Sequence, residues 1–265
     1  LMTPGGGAGA YRFVGGALVL SGGSNMLTGN NLLMIGAPLR TLNMQASQPA
    51  TAAITLTIRN ANDFTGGTAV NTGSTLNLEV GDGIGSGPLE IMNSASVNVR
   101  GALGSLVNTP TVLLRVSSTL TLDNTNAQNS TNIYSGGAQG RFGDATALSL
   151  NGGNFRLLGA ASAQTVETIG AVTVGAGPGT LTVQRATGAG SAQLNIASLS
   201  RAGVSPATRG GLLLTSSGAG LLGIPNATPT SYDRLVLSSG SINGAALVRG
   251  CLLYTSPSPR DQRGS

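Results

Sequence analysis

The sequence predicts an all-β fold wound as a right-handed parallel β-helix. Apolar and polar residues alternate at period two, the alternating pairs recur every twenty-odd residues, and the segments between them are rich in Gly, Asn and Ser. Period-two alternation marks strands with one dry and one wet face. The recurrence marks a solenoid, in which each repeat buries its apolar face only against its neighbours.

The elements follow in order along the chain. Ile54, Leu56 and Ile58 alternate with Thr55, Thr57 and Arg59, and Leu76, Leu78 and Val80 alternate with Asn77 and Glu79. Val97 and Val99 flank Asn98, Leu120 and Leu122 flank Thr121, and Leu148 and Leu150 flank Ser149. Val172/Val174, Leu194/Ile196, Leu212/Leu214 and Leu235/Leu237 repeat the scheme. The first members fall at 54, 76, 97, 120, 148, 172, 194, 212 and 235, in steps of 22, 21, 23, 28, 24, 22, 18 and 23 residues. Extra pairs, Phe155/Leu157 and Leu181/Val183, imply two or three short strands in each repeat. About eleven coils stacked at 4.8 Å would make a rod roughly 50 Å long. Strands spaced every 8–12 residues or so would instead suit an antiparallel β-sandwich, the alternative fold; strand direction separates the two.

Composition agrees with a narrow interior. Of 265 residues 42 are Gly, aromatics make up 3%, and Trp is absent. Stacked coils suit small aliphatic side chains, and their corners need the positive φ that Gly supplies and Asn tolerates. The pairs Gly66-Gly67, Gly136-Gly137 and Gly152-Gly153 stand where corners are expected. Charged residues are only 9% of the chain, every base is Arg, and His is absent. A His-based triad or a His-ligated metal site therefore cannot be built from this chain. One Cys excludes a disulfide framework and a CxxC site. The Arg residues are scattered singly with few aromatics between them, which argues against nucleic acid as a partner. No uninterrupted apolar run reaches the 18 or so residues of a membrane helix, and no signal peptide is visible.

The stretch from Asn60 to Leu78 contains Asn62, Phe64, Thr65-Gly66-Gly67-Thr68, Val70, Asn71, Gly73 and Thr75-Leu76-Asn77-Leu78 in succession. With these pieces in this order it resembles the autotransporter-associated β-strand repeat of bacteria. Gly83 to Ile91 is similar to the strand that follows in that repeat, and Arg141–Phe155 and Glu167–Val174 are similar to segments of large proteins built from it. The resemblance implies a β-helical passenger region, secreted or displayed at the bacterial cell surface in association with the outer membrane. A translocator barrel would lie outside this fragment.

Residues 251–265 differ from all that precedes. Cys251-Leu-Leu-Tyr-Thr-Ser-Pro-Ser-Pro-Arg-Asp261 resembles a translated sequencing adapter. The expected organisation is therefore a β-helical region over 1–250, truncated at both ends, and a non-native, disordered tail over 251–265. Setting aside Arg260, Asp261 and Arg263 leaves 12 Arg and 8 acids, a net charge of +4.

Candidate chemistry is sparse. Gly81-Asp-Gly-Ile-Gly-Ser-Gly-Pro88 echoes the Gly-Asp-Ser-Gly of serine-protease passengers, but Ser86 has no His to take its proton, so a turn is the expected role. A single Gly-Asp-Gly falls short of the repeated element that calcium-binding β-rolls need. Glycoside hydrolysis requires two carboxylates at a defined separation. The acids are Asp63, Glu79, Asp82, Glu90, Asp123, Asp144, Glu167 and Asp233, and no pair sits in a dense motif. Asp63 and Asp82 lie about one coil apart, so Glu79 or Asp82 could meet on one face, and Asp144 is expected to cap a bend. Phe13, Phe64, Phe142, Phe155, Tyr11, Tyr134 and Tyr232 read as core and corner packing rather than a sugar-binding groove. The expectation is a structural stalk or adhesin-like segment with no catalytic, cofactor or metal residues and no cofactor. Its partner would be a host, matrix or neighbour-cell ligand. The alternative is a carbohydrate-acting β-helix enzyme, a polysaccharide lyase or hydrolase. Three or more acids gathered on one face would favour the enzyme, and dispersed acids the rod.

Overall fold

The computed structural model describes residues 9–37, 53–125, 140–161, 163–186, 190–202, 210–216 and 233–237. The regular elements among them are all strands: β1 (Ala10–Phe13), β2 (Gly16–Leu20), β3 (Leu32–Ile35), β4 (Ile54–Ile58), β5 (Thr68–Val70) and β6 (Thr75–Leu78). There follow β7 (Leu89–Ile91), β8 (Ser96–Val99), β9 (Thr111–Leu114), β10 (Thr119–Asp123), β11 (Ala147–Leu150) and β12 (Asn154–Leu158). The last are β13 (Gln164–Val174), β14 (Gly179–Gln184), β15 (Ser191–Arg201), β16 (Leu212–Thr215) and β17 (Asp233–Leu237).

Odd-numbered strands form one sheet, in the order β1-β3-β5-β7-β9-β11-β13-β15-β17, and even-numbered strands the other, from β2 to β16. Each coil therefore gives one strand to each sheet, and the chain winds between two walls. Neighbours in both sheets run parallel, as in Thr75↔Ser96 and Leu89↔Val112. The fold is a parallel β-helix, and the antiparallel sandwich is excluded.

Register explains the uneven steps in the sequence. Leu56, Leu76, Val97 and Leu120 stack in the even sheet, and that ladder continues to Phe155, Leu181 and Leu214. Leu148 and Val172 belong to the odd sheet, above Val112 and below Leu199. The step of 28 residues from Leu120 to Leu148 thus crosses between walls, and Phe155/Leu157 and Leu181/Val183 are rungs of the first ladder. The series read from sequence joined two ladders. Among the described residues nine strands line one wall and eight the other. A stack of nine strands is about 40 Å deep at the usual spacing.

The interior is dry. Leu56, Leu76, Val97, Leu120, Phe155 and Leu157 are fully buried from the even wall, and Leu33, Ile91, Leu114, Leu148 and Val172 from the odd wall. Burying each such side chain contributes about 1.5–3 kcal/mol. Three of the four Phe residues, Phe64, Phe142 and Phe155, are wholly inside, with Phe142 and Phe155 edge to face at 5.8 Å between centroids. Tyr11 is buried as well, and Phe13 packs against the core. These aromatics are core, as read from sequence; Tyr134 and Tyr232 lie outside the described residues.

Outside the even wall the central row is polar and self-bonded. Asn98 Nδ2 donates to Asn77 Oδ1 at 3.0 Å, and Asn77 Nδ2 donates to Thr57 Oγ1 at 3.3 Å. The corner glycines fit where the sequence put them. Gly67 has φ +93° directly before β5, and Gly152 has φ +83° between β11 and β12. Gly136-Gly137 and residues 251–265 lie outside the described residues.

Candidate functional site

The residues that carry the family resemblance are divided between strands and corners: Thr68, Val70 and Thr75–Leu78 lie in β5 and β6, and Asn62, Phe64, Gly66-Gly67, Asn71 and Gly73 lie in the turns beside them. Asn62 precedes Phe64 in the turn between β4 and β5, and it is buried. Its Oδ1 accepts from the amide of Leu27 at 3.0 Å and from Asn60 Nδ2 at 2.9 Å. Its Nδ2 donates to the carbonyls of Gly83 at 2.7 Å and Asn60 at 3.1 Å. One side chain thus joins three successive coils and uses both amide protons and the carbonyl oxygen. Asn71, also buried, donates from Nδ2 to the Gly36 carbonyl at 3.0 Å, one coil back. A Cβ on Gly67 would stand 2.8 Å from the Pro88 carbonyl oxygen, so the next coil leaves no room for a side chain.

The acids are distributed along the stack, and most of them have separate partners. Glu79 lies between Arg59 and Arg100, with Nε of Arg59 at 2.7 Å and Nη2 of Arg100 at 3.0 Å. Partial burial acts to raise its carboxyl pKa, but the two guanidinium groups outweigh it and hold the pKa below the ordinary value. Glu90 pairs with Arg115 at 2.6 Å, and Asp82 accepts from the Asn108 amide. Asp123 accepts from the amide and hydroxyl of Thr125 at 2.9 and 2.6 Å. Asp233 is fully buried and accepts from the Arg185 amide at 2.7 Å and from Ser216. Asp63 is exposed, and its amide donates to the Leu27 carbonyl. The expected offset of about one coil between Asp63 and Asp82 holds, since the amide of the neighbouring Asn62 donates to the Asp82 carbonyl.

Asp144 differs from its expected role. The bend it was to cap is closed by the Thr146 amide on the Gly143 carbonyl and the Thr146 hydroxyl on the Thr109 carbonyl at 2.6 Å. Asp144 is exposed and lines an open groove of about 410 Å³ together with Asn108, Thr109 and Thr146. Ser86 sits in the turn between β6 and β7, as expected, and its amide donates to the Phe64 carbonyl.

Sequence reasoning missed a buried polar cluster around Arg141. This Arg is 1% exposed. Its Nη1 and Nη2 donate to the carbonyls of Gly104 and Gly101 at 2.6 Å each, and its Nε donates to Asn124 Oδ1 at 2.5 Å. Glu167, likewise 1% exposed, accepts from the amides of Arg141 at 3.1 Å and Phe142 at 2.8 Å. The contacts span three successive layers of the stack, from the turn after β8 through the connection between β10 and β11 to β13. One signal was present in the sequence: Glu167 alternates in phase with Thr165 and Ile169, which places it on the inward face of β13.

Chemically, the bonds of Asn62, Arg141 and Glu167 run to backbone groups and side chains of neighbouring coils. A glycosidase needs two carboxylates flanking the bond. Asp144 stands in the groove, while both oxygens of Glu167 face backbone amides inside the wall. Among the described residues no group of three or more His, Cys, Asp or Glu could hold a metal ion. The walls and their polar corners define a parallel β-solenoid. Compared with protein-family models, curated proteins and solved structures, the chain matches none.

Proposed function

We propose that this chain is a structural, adhesin-like stalk segment of a secreted or surface-displayed bacterial protein of autotransporter type, without catalysis of its own. The observation that carries the reading is where its polar side chains go. Asn62, Asn71, Arg141 and Glu167 tie coil to coil, and Glu79, Glu90, Asp82 and Asp123 are each occupied separately along the outside. An enzyme concentrates its acids around a substrate, whereas a rod distributes them along its length. Extended repeat surfaces bind partners over shallow faces, which suits contact with host, matrix or a neighbouring cell.

Protease treatment of intact source cells, followed by blotting for residues 1–250, tests the address. Loss of the signal before lysis supports surface display; persistence until lysis contradicts it. Incubation with a panel of polysaccharides, read by new reducing ends or unsaturated uronate absorbance, tests the absence of catalysis. Turnover that disappears in Asp144→Asn would replace the stalk by the carbohydrate-acting enzyme.

A further inference from the structure

The even wall ends in β2 on one side and in β16 on the other, and among the described residues no strand pairs beyond either. The free N–H and C=O groups of a sheet edge template further strands, and edges are normally blunted by charged side chains, Pro or a bulge. The odd wall is blunted in this way, with exposed Arg12 in β1 and exposed Arg234 in β17. The even wall is not: Gly16-Ala-Leu-Val-Leu20 and Leu212-Leu-Leu-Thr215 hold neither a charge nor a Pro. Among the described residues, four of the six large exposed hydrophobics (Val14, Leu18, Val19 and Leu213) lie in or beside these two edges.

The two edges also match in shape. Leu18 heads the interior column of Leu56, and Leu214 ends that column beyond Leu181. Leu56 and Leu181 are buried, whereas Leu18 is exposed and Leu214 half-buried, so the column is open at both ends. In the column beside it Gly16 stands over Ile54, and Leu212 follows Gly179. A Cβ on Gly16 would meet nothing within 4 Å, which leaves an opening in the core column at that edge.

We propose that the even wall is an end-to-end docking surface for a second copy of this chain, with β2 of one copy pairing in parallel with β16 of the next. The columns name the occupant: carried on by one strand spacing, Leu18 lies over Leu214, Ala17 over Leu213, and Leu212 faces the opening at Gly16. A slip of one residue would turn Leu18 and Leu20 outward, so burial of the apolar face fixes this register. The contact uses a different patch on each partner and does not close, so copies add one after another. Docking of this kind requires neither surface display nor a ligand.

Light scattering of the full chain under reducing conditions tests this, with the mass expected to rise with concentration past that of two chains. Leu18→Lys places a charge inside one edge and Leu214→Lys inside the other, and each variant alone should stay monomeric. Their equimolar mixture should form a dimer and nothing larger, because each variant keeps one sound edge; that dimer also shows that both are folded. Should either Lys variant fail to fold, Ala17→Cys and Leu213→Cys, each with Cys251→Ser, decide the matter. In the docked pair their Cα atoms would stand about 4.8 Å apart, within reach of a disulfide. Mild oxidation of the mixture should give heterodimers with only traces of either homodimer. A wild type that stays monomeric at every concentration would overturn the proposal. So would self-association of Leu214→Lys alone, through two β2 edges, or crosslinking within one Cys variant as readily as in the mixture.

Discussion

Single buried polar residues set the spacing of the coils. Asn62 satisfies its amide completely while touching Leu27, Asn60 and Gly83. Truncation to Ala would leave the Leu27 amide and the Gly83 carbonyl unpaired inside the wall, each costing about 1–3 kcal/mol. Asn62→Ala should therefore lose about 3 kcal/mol by denaturant titration, and Asn98→Ala, on the outer row, about 1 kcal/mol or less. Thr68 gives the opposite case. It takes a ladder place between Leu33 and Leu89, it is buried, and its hydroxyl has no partner. Thr68→Val removes an unpaired hydroxyl at nearly constant shape. It should raise stability by about 1 kcal/mol, seen as a higher denaturation midpoint at unchanged slope.

At the scale of strands and corners, apolar ladders supply cohesion and charged rows contribute little. Arg59 and Arg100 are 55% and 41% exposed in their side chains, and solvent screens their attraction to Glu79. Glu79→Gln should cost about 1 kcal/mol or less at neutral pH. Its folded pKa is depressed, so its contribution is present above the unfolded value near 4.5 and is lost as pH falls through the folded value. The difference between wild type and Glu79→Gln should accordingly vanish in acid thermal melts.

Strands were the legible part of the sequence, because Leu76-Asn-Leu and Leu120-Thr-Leu carry the period of the pleat in their own side chains. Membership of a wall was not legible. Leu120 and Leu148 look alike, and only the coil path shows that Phe155 follows Leu120. The candidate site was read unevenly for a related reason. The Asn62 corner lies within a local motif, whereas the Arg141 cluster is assembled from Gly101, Gly104, Asn124 and Glu167, positions far apart in sequence and brought together by stacking. An isolated Arg and an isolated Glu look solvated until the path of the chain buries them. Asp144 was misplaced because its neighbour Thr146 closes the bend instead.

For the whole molecule, the account rests on coils that advance in one direction by one strand spacing each. Labels on the outer face of the even wall measure that advance. Thr55, Thr119 and Thr180 share one outward row, with Thr75 and Ser96 between the first two and Asn154 between the last two. With Cys251→Ser as background, spin labels at 55 and 119 and then at 55 and 180 should report separations near 14 and 24 Å, allowing for equal linkers. The second distance should exceed the first by about 10 Å, two strand spacings. Equal distances, or a shorter second distance, would mean that the chain folds back on itself and would contradict the parallel stack.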